Sequence, residues 1–535
     1  MKKQSCLLPV LHRKDSHITR SRQTVFGGLS SNPGAASREM ICMEGLSPVS
    51  YPAIGTQDKR FRYDLSSASG TPHGIHLHDD LIMALGSRLY SVKEDGRVNP
   101  LMAVLDSDKC FASFGSQLFI LPDAICYDTS GGSIRSLSAT TDFLAEATLG
   151  QNYVTHSTTD WRAAGFAPGD GVEIRVKDYI LGSTTTFYRK VTDLSEGVLF
   201  FDAPFERTGE FDIKISRSFP QVEQMCVLGD RLMGYAGNTI YLSEAGNPFN
   251  WQVAPGEDGD PVTLKTGGAG KITACAAYQG YGVFFKEDRL YRLMGSGARD
   301  YVLMSMNAPG VASDSAGSLC EVAGQLYYLA PGGVYRFDGD HPTFVGQALS
   351  QELTQGVGGT DGICYYLAAR DAEGVSRVYA YHHEQEAWFV QDILDPVSMV
   401  TKGDLLFIQT AEGALLRNTR RGESLPPHQT AITEVASATT SRLEFGEEFG
   451  DSPDGLRLLE VHLRVWGEEG GSLQVEVAYD GSAVWARVGS IQGAAKGFYH
   501  LPVYPRRAAS YRLRLTMKGK WRIDEITCDY ERGQQ

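Results

Sequence analysis

The sequence predicts an all-β protein: a β-propeller of about seven blades, an inserted small β-barrel and a C-terminal β-sandwich. Pairs of aromatic-rich strands joined by Gly/Asn turns recur along most of the chain. The composition, with 59 Gly, 25 Tyr and 23 Phe in 535 residues, also favours strands and turns. Near the C-terminus, apolar and polar residues alternate with the period of two that half-buried strands show.

The repeated hairpin is clearest in one copy with apolar strands around Leu232 and Ile240, which are separated by a turn at Gly237-Asn238. Residues 281–293 and 325–339 repeat this layout. Each copy places polar or Gly-rich turn residues between two aromatic strands, as a hairpin requires.

The spacing of the hairpins predicts the propeller. Their first strands lie at Leu81, Leu118, Leu232, Val283, Leu326, Cys364 and Leu405. The spacings are 37, 114, 51, 43, 38 and 41 residues, and five of the six lie near the blade period of about 40 to 50. Removing residues 139–215, which number 77, returns the long interval to 37. We therefore predict a propeller over residues 74–418, with six or eight blades as alternatives.

The inserted segment, residues 139–215, has the strand pattern of a compact barrel of about 70 residues. A turn and an alternating strand occupy residues 161–176. Three more strand-like segments follow, at 187–191, 198–201 and 211–215.

The two ends of the chain differ from the repeat. Residues 419–535 contain seven strand-like segments, which predicts a jelly-roll or immunoglobulin-like sandwich. Within one of them the alternation predicts that His462 faces solvent.

Residues 1–73 lack periodicity, which predicts an extended N-terminal arm. Because its apolar residues, such as Met40 and Met43, have no partner of their own, we expect residues 1–60 of the arm to dock on a neighbouring subunit.

The bulk composition excludes several classes of protein. A net charge of −14 argues against a nucleic-acid clamp, which needs Lys and Arg to displace phosphate counterions. Nine scattered cysteines without a C-x-x-C pair predict reduced, buried thiols rather than a disulfide framework or a zinc site. The sequence contains no apolar run long enough for a membrane span, and its first residues do not form a convincing signal peptide, which favours cytosolic synthesis.

Candidate catalytic and metal-binding residues are few. His76 and His78 lie on one face of a strand, within reach of one metal ion, but no further ligand can be identified by spacing. The segment Ser243–Trp251 resembles the Asp-box turn of sialidases, but Ala245 stands where the box has Asp.

Acidic pairs lie in Gly-rich turns, where carboxylates normally accept hydrogen bonds from nearby backbone amides: Asp258/Asp260 and Asp338/Asp340. The sequence contains none of the G-x-S-x-G, P-loop or H-E-x-x-H motifs. We therefore assign no catalytic, cofactor-binding or metal-binding residue and expect neither a cofactor nor an enzyme.

Three short sequence segments add to this architecture: Arg231–Gly234, Ile240–Trp251 and Phe284–Asp288. Together with the propeller, barrel and sandwich they resemble bacteriophage virion proteins of the tail nozzle, or tail-hub, kind. The similarity covers residues 220–345 best. It is looser over 20–60 and 500–530, where it rests on Tyr504–Arg507 and Tyr511–Leu515.

The resemblance implies a structural virion protein at the head-to-tail junction or in the tail. It implies a homohexameric ring that contacts adaptor, portal or other tail proteins and lets genomic DNA pass without tight binding. The protein would be made in the host cytoplasm, reside in the virion tail and contact no membrane. No catalytic residue is carried over, and the large C-terminal sandwich departs from the family's pattern.

Two other classes remain open. A receptor- or carbohydrate-binding propeller protein would use aromatic residues at the top of the propeller or in the loops of the sandwich, such as Trp251, Trp466 and Trp485. A glycosidase would need two carboxyl groups at a defined separation across a cleft.

Overall fold

A computed structural model of the chain describes residues 18–30, 40–57, 60–93, 96–178, 182–252, 259–349, 352–419, 433–435, 441–448, 456–494 and 496–532. Nearly all regular elements are strands, apart from 3-10 turns at Pro48–Ser50 and Ala316–Ser318. The strands form seven propeller blades, a closed barrel and a two-sheet sandwich, which confirms the predicted fold class. The predicted linker at residues 420–428 lies outside the described residues.

The N-terminal part of the chain contributes five short strands. They are β1 (Ile18–Gln23), β2 (Cys42–Glu44), β3 (Leu46–Ser47), β4 (Ile54–Thr56) and β5 (Arg60–Arg62). Strands β3 and β4 pair with each other, while β1, β2 and β5 pair with strands that are distant in the sequence. None of the five builds a blade with the strand that follows it.

The first two blades follow directly as antiparallel four-stranded sheets. Blade one consists of β6 (Pro72–Leu77), β7 (Leu81–Leu85), β8 (Arg88–Val92) and β9 (Val98–Ala103). Blade two consists of β10 (Cys110–Phe114), β11 (Gln117–Leu121), β12 (Ile125–Asp128) and β13 (Ser133–Ser136).

The barrel is inserted between blades two and three. Its strands are β14 (Ala139–Thr140), β15 (Leu144–Leu149), β16 (Tyr153–Thr155), β17 (Gly171–Asp178), β18 (Ser183–Ser195), β19 (Val198–Phe201) and β20 (Gly209–Arg217). Strand β20 pairs with both β15 and β17, so six strands close on themselves and β14 extends β20. The barrel has its own apolar core, which includes Trp161 and Phe166.

Blades three to six return to the repeat. Blade three consists of β21 (Gln224–Leu228), β22 (Arg231–Ala236), β23 (Thr239–Leu242) and β24 (Val262–Lys265). Blade four consists of β25 (Ala274–Tyr278), β26 (Tyr281–Lys286), β27 (Arg289–Met294) and β28 (Val302–Asn307). Blade five consists of β29 (Cys320–Val322), β30 (Gln325–Ala330), β31 (Gly333–Phe337) and β32 (Pro342–Phe344). Blade six consists of β33 (Thr354–Thr360), β34 (Cys364–Arg370), β35 (Ser376–His382) and β36 (Ala387–Asp392).

The seventh blade closes the ring with a strand from the N-terminal segment. Strands β37 (Pro396–Lys402), β38 (Leu405–Thr410) and β39 (Leu415–Arg417) are followed by β5, in which Arg62 lies opposite Leu416. Strand β40 (Thr433–Val435) then pairs with the other side of β5. The expectation that residues 1–73 form an extended arm is therefore wrong for β5. Strand β5 shows no local repeat pattern in the sequence because its partner strand, β39, lies more than 300 residues away.

A buried glutamine joins blade seven to blade one. Gln409 on β38 is fully buried, accepts a hydrogen bond from the Gly74 backbone N–H at 2.8 Å and donates one to the Ala84 carbonyl at 3.0 Å. Both groups belong to blade one. A buried amide that satisfies two backbone groups of a neighbouring sheet fixes the position of that sheet, because each group would be costly to leave unpaired.

The sandwich uses the remaining strands. These are β41 (Ser441–Glu448), β42 (Leu456–Gly467), β43 (Ser472–Tyr479), β44 (Ala486–Gln492), β45 (Lys496–Pro502), β46 (Arg507–Ala508), β47 (Ser510–Lys518) and β48 (Trp521–Arg532). One sheet runs β2-β41-β47-β43-β44, and the other runs β3-β4-β48-β42-β45, with β1 on β48 and β46 on β42. The N-terminal strands therefore belong to both sheets, and the sandwich extends beyond the predicted residues 419–535.

The same N-terminal residues fasten the sandwich to blade six. Met40 and Met43 are buried in one apolar core that includes residues of both units. The Leu29 backbone N–H donates to the Trp388 carbonyl at 2.8 Å, and the Gly45 N–H donates to the Gln391 carbonyl at 3.1 Å. The expected docking on a neighbouring subunit is therefore wrong for the buried side chains of this segment, such as Met40, Met43 and Leu46, which are covered within the chain itself.

Candidate binding face of the sandwich

The outward face of the β42–β45–β48 sheet carries the most distinctive group of polar and aromatic side chains. On β42 the residues Val461, Leu463 and Val465 point into the core, which leaves the alternate positions to face outward. The pairing of β42 with β45 sets three outward pairs side by side: His462 with His500, Arg464 with Phe498, and Trp466 with Lys496. We call this surface the outer face.

A pocket of about 620 Å³ lies at one end of the outer face. Trp466 contributes an indole that is 39% exposed, and Val49 from the N-terminal segment forms part of the opposite side. The charged residues that line the pocket are Arg464, Lys496, Lys520, Arg522 and Asp524. Four basic side chains and one acidic side chain thus meet on a chain whose net charge is −14.

Two ion pairs order the basic residues of this pocket. The Arg522 Nε lies 2.7 Å from an Asp524 oxygen, and the Arg464 Nε lies 3.4 Å from Glu525. Arg464 also lies over the Phe498 ring, at 5.8 Å from its centroid. These contacts hold the guanidinium groups at the pocket wall, where they can still donate to an anionic ligand.

A histidine cluster lies farther along the same face. The Nδ1 atoms of His462 and His500 are 2.8 Å apart, and the two rings are nearly perpendicular at 86°. The Nε2 of His462 lies 3.0 Å from an Asp529 oxygen and 3.5 Å from Glu460. The expectation that His462 faces solvent is wrong, because it is only 2% exposed.

Cross-strand neighbours explain the burial of His462. The Phe498 ring stacks nearly parallel to the His462 imidazole at 5.7 Å between centroids. On the other side, β1 pairs with β48 and brings Arg20 over Asp529. The alternation correctly predicts that His462 points outward, but it contains no information about what covers an outward side chain.

Arginines from β1 hold the acidic residues of β48 ionised. The hydrogen bonds from Arg20, at 2.7 Å to each oxygen, lower the pKa of Asp529 to about 2, and His462 adds to this effect against the opposing effect of burial. Hydrogen bonding by Arg22 likewise lowers the pKa of Glu525. The N-terminal strand thus fixes the charge state of the outer face.

The predicted histidine pair lies instead at the end of β6, next to blade two. His76 Nε2 and His78 Nδ1 each lie 2.8 Å from the Ser113 hydroxyl on blade two. Burial, with a smaller contribution from His78, lowers the pKa of His76 to about 4. Among the described residues, Glu460, His462 and His500 form the single group of three metal-ligating side chains with donor atoms within 4.8 Å of one another. His76 and His78 are not part of it.

The described residues of the acidic pairs make hydrogen bonds within the chain. Asp338 accepts a hydrogen bond from the Asp340 N–H at 3.0 Å, as expected of a turn, while the backbone carbonyl of Asp260 accepts from Arg231 at 2.7 Å. Asp258 lies outside the described residues.

The three tryptophans have different surroundings. Trp251 is only 5% exposed, and its ring packs edge-on against Phe219. Trp485 is half-buried, with Arg514 at 3.9 Å from the centroid of its ring. The proposed ligand contact through Trp251 is therefore wrong, and Trp466 is the tryptophan that opens onto a pocket.

The turn that resembles an Asp-box attaches the barrel to blade three. Lys190 of the barrel lies 2.6 Å from Glu244, and the Asn247 side chain donates to the Gly169 carbonyl at 2.7 Å. Arg135 of blade two and the buried Arg217 both bind Asp170 of the barrel. These contacts give the turn a structural role and fix the barrel to two blades.

Comparisons with known proteins give distant structural similarities and no family. No protein family matches this sequence, and no curated protein matches it either. BamB from Moraxella catarrhalis is 16% identical with a TM-score of 0.36, over 70% of this chain and 99% of its own. The WD40 repeats of RRP9 are 10% identical with a TM-score of 0.32, over 66% of this chain and 94% of their own.

An exo-β-1,3-galactanase from Phanerochaete chrysosporium is 10% identical with a TM-score of 0.23, over 57% of this chain and 94% of its own. At such values the assignment of the propeller rests on the seven sheets themselves, and the similarities carry no argument about function. No helix in the described part of the chain is long and apolar enough to cross a membrane.

Proposed function

We propose that this protein is a non-enzymatic binding protein that recognises an acidic saccharide at the outer-face pocket of its sandwich. The observation that carries the proposal is the combination of the exposed Trp466 with four basic side chains in one pocket of an otherwise acidic chain. The propeller and the barrel serve as the scaffold that presents this face.

The lining of the pocket suits a sugar with anionic groups. An exposed aromatic ring offers a flat apolar surface to the C–H face of a pyranose, while Arg and Lys donate to carboxylate, sulfate or phosphate substituents. The pocket volume of about 620 Å³ lies within the usual range for small-ligand sites, about 300–1,000 Å³. The local excess of positive charge favours an anionic ligand over a neutral one.

The same pocket argues against hydrolysis. Glycosidases use two carboxyl groups that flank the scissile bond. Among the described residues that line the pocket, Asp524 is the single carboxylate, and it is already paired with Arg522 at 2.7 Å. We therefore propose binding without cleavage.

A glycan array with the full-length protein tests this proposal. We expect acidic saccharides to bind and their neutral counterparts to bind weakly. Trp466→Ala should lower the affinity by about tenfold or more, which corresponds to about 1.4 kcal/mol. Trp485→Ala is the matched control, because Trp485 directly precedes β44 of the other sheet and packs on Arg514. Unchanged binding by Trp466→Ala, or release of a cleaved saccharide, would contradict the proposal.

A second candidate function is that of a ring subunit in a bacteriophage tail, which is compatible with saccharide recognition. The resemblance over residues 220–345 supports it, and so does an apolar edge on blade four. Strand β28 is the outermost strand of that blade, and Met294, Val302 and Met304 beside it are 44%, 57% and 51% exposed. An unpaired edge strand with apolar side chains is suited to contact another protein.

In this second proposal six copies form a ring in the virion tail, contact adaptor or portal proteins and let DNA pass without tight binding. Light scattering and electron microscopy of the full-length protein should show a ring of six. Val302→Lys with Met304→Lys should release monomers, whereas Val484→Lys, at an exposed position of the sandwich, should not. A wild-type protein that stays monomeric at high concentration would contradict this proposal.

A further inference from the structure

The histidine cluster of the outer face brings three potential metal ligands together, which is more than its hydrogen bonds alone require. Two imidazole Nδ1 atoms from paired strands point at each other at 2.8 Å, and the half-exposed carboxylate of Glu460 lies 3.5 Å from the Nε2 of His462. One donor atom from each of Glu460, His462 and His500 lies within 4.8 Å of the other two. Two imidazoles and one carboxylate on neighbouring strands are a ligand set that divalent transition metals use.

Among the described residues, the Nδ1 of His462 contacts only the other proposed histidine ligand, His500, while its Nε2 is held by Asp529. Asp529 accepts two hydrogen bonds from Arg20 and lies 3.0 Å from the His462 Nε2. The Asp529 carboxylate accepts a hydrogen bond from Nε2–H in the tautomer whose lone pair lies on Nδ1. A carboxylate that accepts the second ring N–H of a ligating histidine is the common partner of such ligands.

We propose that His462, His500 and Glu460 bind a divalent transition-metal ion of the Zn²⁺ class, with Asp529 as the residue that positions His462. Nitrogen ligands at about 2.1 Å from a tetrahedral ion are about 3.4 Å apart, so the two Nδ1 atoms move apart by a fraction of an ångström. His500 is exposed and can make this adjustment. Glu460, whose side chain is 41% exposed, turns its carboxylate towards the ion.

The three ligands leave a fourth coordination position that opens to solvent on the side of the exposed His500. Two imidazoles favour Zn²⁺, Co²⁺, Ni²⁺ or Cu²⁺ over Mg²⁺ and Ca²⁺, which prefer oxygen ligands. This inference stands independently of the saccharide proposal, since the two rest on different residues of the face.

Calorimetric titration of the chelator-treated full-length protein with ZnCl₂ tests the inference, and the visible absorption of bound Co²⁺ reports the ligand geometry. We expect one ion per chain. His500→Gln should lower the affinity by about 100-fold, and Asp529→Asn by about 10- to 100-fold with an altered Co²⁺ spectrum. His341→Gln is the matched control, because His341 is an exposed histidine of blade five.

Circular dichroism identifies any variant that fails to fold. If His500→Gln fails to fold, Glu460→Gln replaces it in the titration, because the half-exposed side chain of Glu460 tolerates the substitution. Failure to bind Zn²⁺ at one equivalent would overturn the inference and leave the histidine pair as a hydrogen bond. Equal affinity of the wild type and both ligand variants would overturn it as well.

Discussion

At the scale of single residues, long-range polar contacts hold the blades together, and none of them is marked by a motif. Gln409 joins blade seven to blade one, and His73 joins blade one to the segment before blade two. Arg60 on β5 donates to Asp392 at 2.6 Å and to Gln391 at 2.9 Å, and it also contacts Asn418. These side chains are buried, so each contact stabilises the fold only while both of its partners are present.

The first prediction concerns Arg60, whose side chain is 4% exposed. Arg60→Ala leaves Asp392 buried without its cation, and breaking a buried ion pair costs about 3–5 kcal/mol. Chemical denaturation should show this loss for Arg60→Ala and almost none for Arg88→Ala, at an exposed position at the start of β8. Equal midpoints for the two variants would show that β5 is not held by this network.

The second prediction concerns pH. Burial opposes the charge on His73, but hydrogen bonds from its ring to Asp108 at 3.0 Å and Asp106 at 2.6 Å outweigh burial and raise its pKa. A raised pKa in the folded state stabilises the fold fully below the unfolded pKa, and this stabilisation is lost as the pH rises through the folded value. The difference in melting temperature between wild type and His73→Gln should therefore shrink from pH 5.5 to pH 8.5.

His341→Gln is the control for this pH series, because His341 is exposed. A difference between wild type and His73→Gln that stays constant with pH would contradict the role of the charged imidazole.

At the scale of elements, the period of the hairpins was sufficient to predict the propeller and to locate the insertion. Hairpins pair locally, so each blade leaves a local pattern of strand, turn and strand in the sequence. The partners of β1, β2 and β5 are distant, and a short strand that pairs across hundreds of residues carries no such pattern. This is why the N-terminal segment was predicted as an arm.

The third prediction concerns the barrel. Ala139 and Arg217 lie opposite each other in the β14–β20 pair, so the ends of the insertion are adjacent. Replacing residues 140–214 with a short Gly/Ser linker should give a soluble protein with the β-sheet circular dichroism of the remaining blades. Its melting temperature should fall modestly, because Arg135 and Arg217 lose Asp170. Asp170→Asn in the full chain is the matched comparison, and global unfolding of the deletion protein would contradict an independent barrel.

At the scale of the whole molecule, the N-terminal segment joins the sandwich to the propeller. It supplies strands to both sandwich sheets and apolar side chains to the core that the sandwich shares with blade six. The sequence shows the apolar residues of this segment, but it does not show which core they join. The candidate site was hidden for the same reason, because His462, His500 and Arg20 meet only through strand pairing.

The fourth prediction follows from this arrangement. Removing residues 1–56 takes away β1 to β4 and buried apolar side chains that include Phe26, Met40, Met43, Leu46 and Ile54. Because each fully buried apolar side chain contributes about 1.5–3 kcal/mol, the loss should exceed about 5 kcal/mol in the monomer itself. Denaturation of dilute, monomeric protein measures it. Unchanged monomer stability with weakened assembly would instead restore the expectation that this segment docks on a neighbouring subunit.

The central claim is that the outer face binds an acidic saccharide, and a titration of the full-length protein at two salt concentrations tests it most directly. The ligand is the strongest acidic saccharide from the array, compared with the same saccharide after its acidic groups are neutralised by reduction or esterification. We expect the affinity to fall with added salt, with neutralisation of the ligand, and with Trp466→Ala or Lys496→Glu at the pocket. Equal binding of the acidic and neutral saccharides, or binding that survives both substitutions, would contradict it.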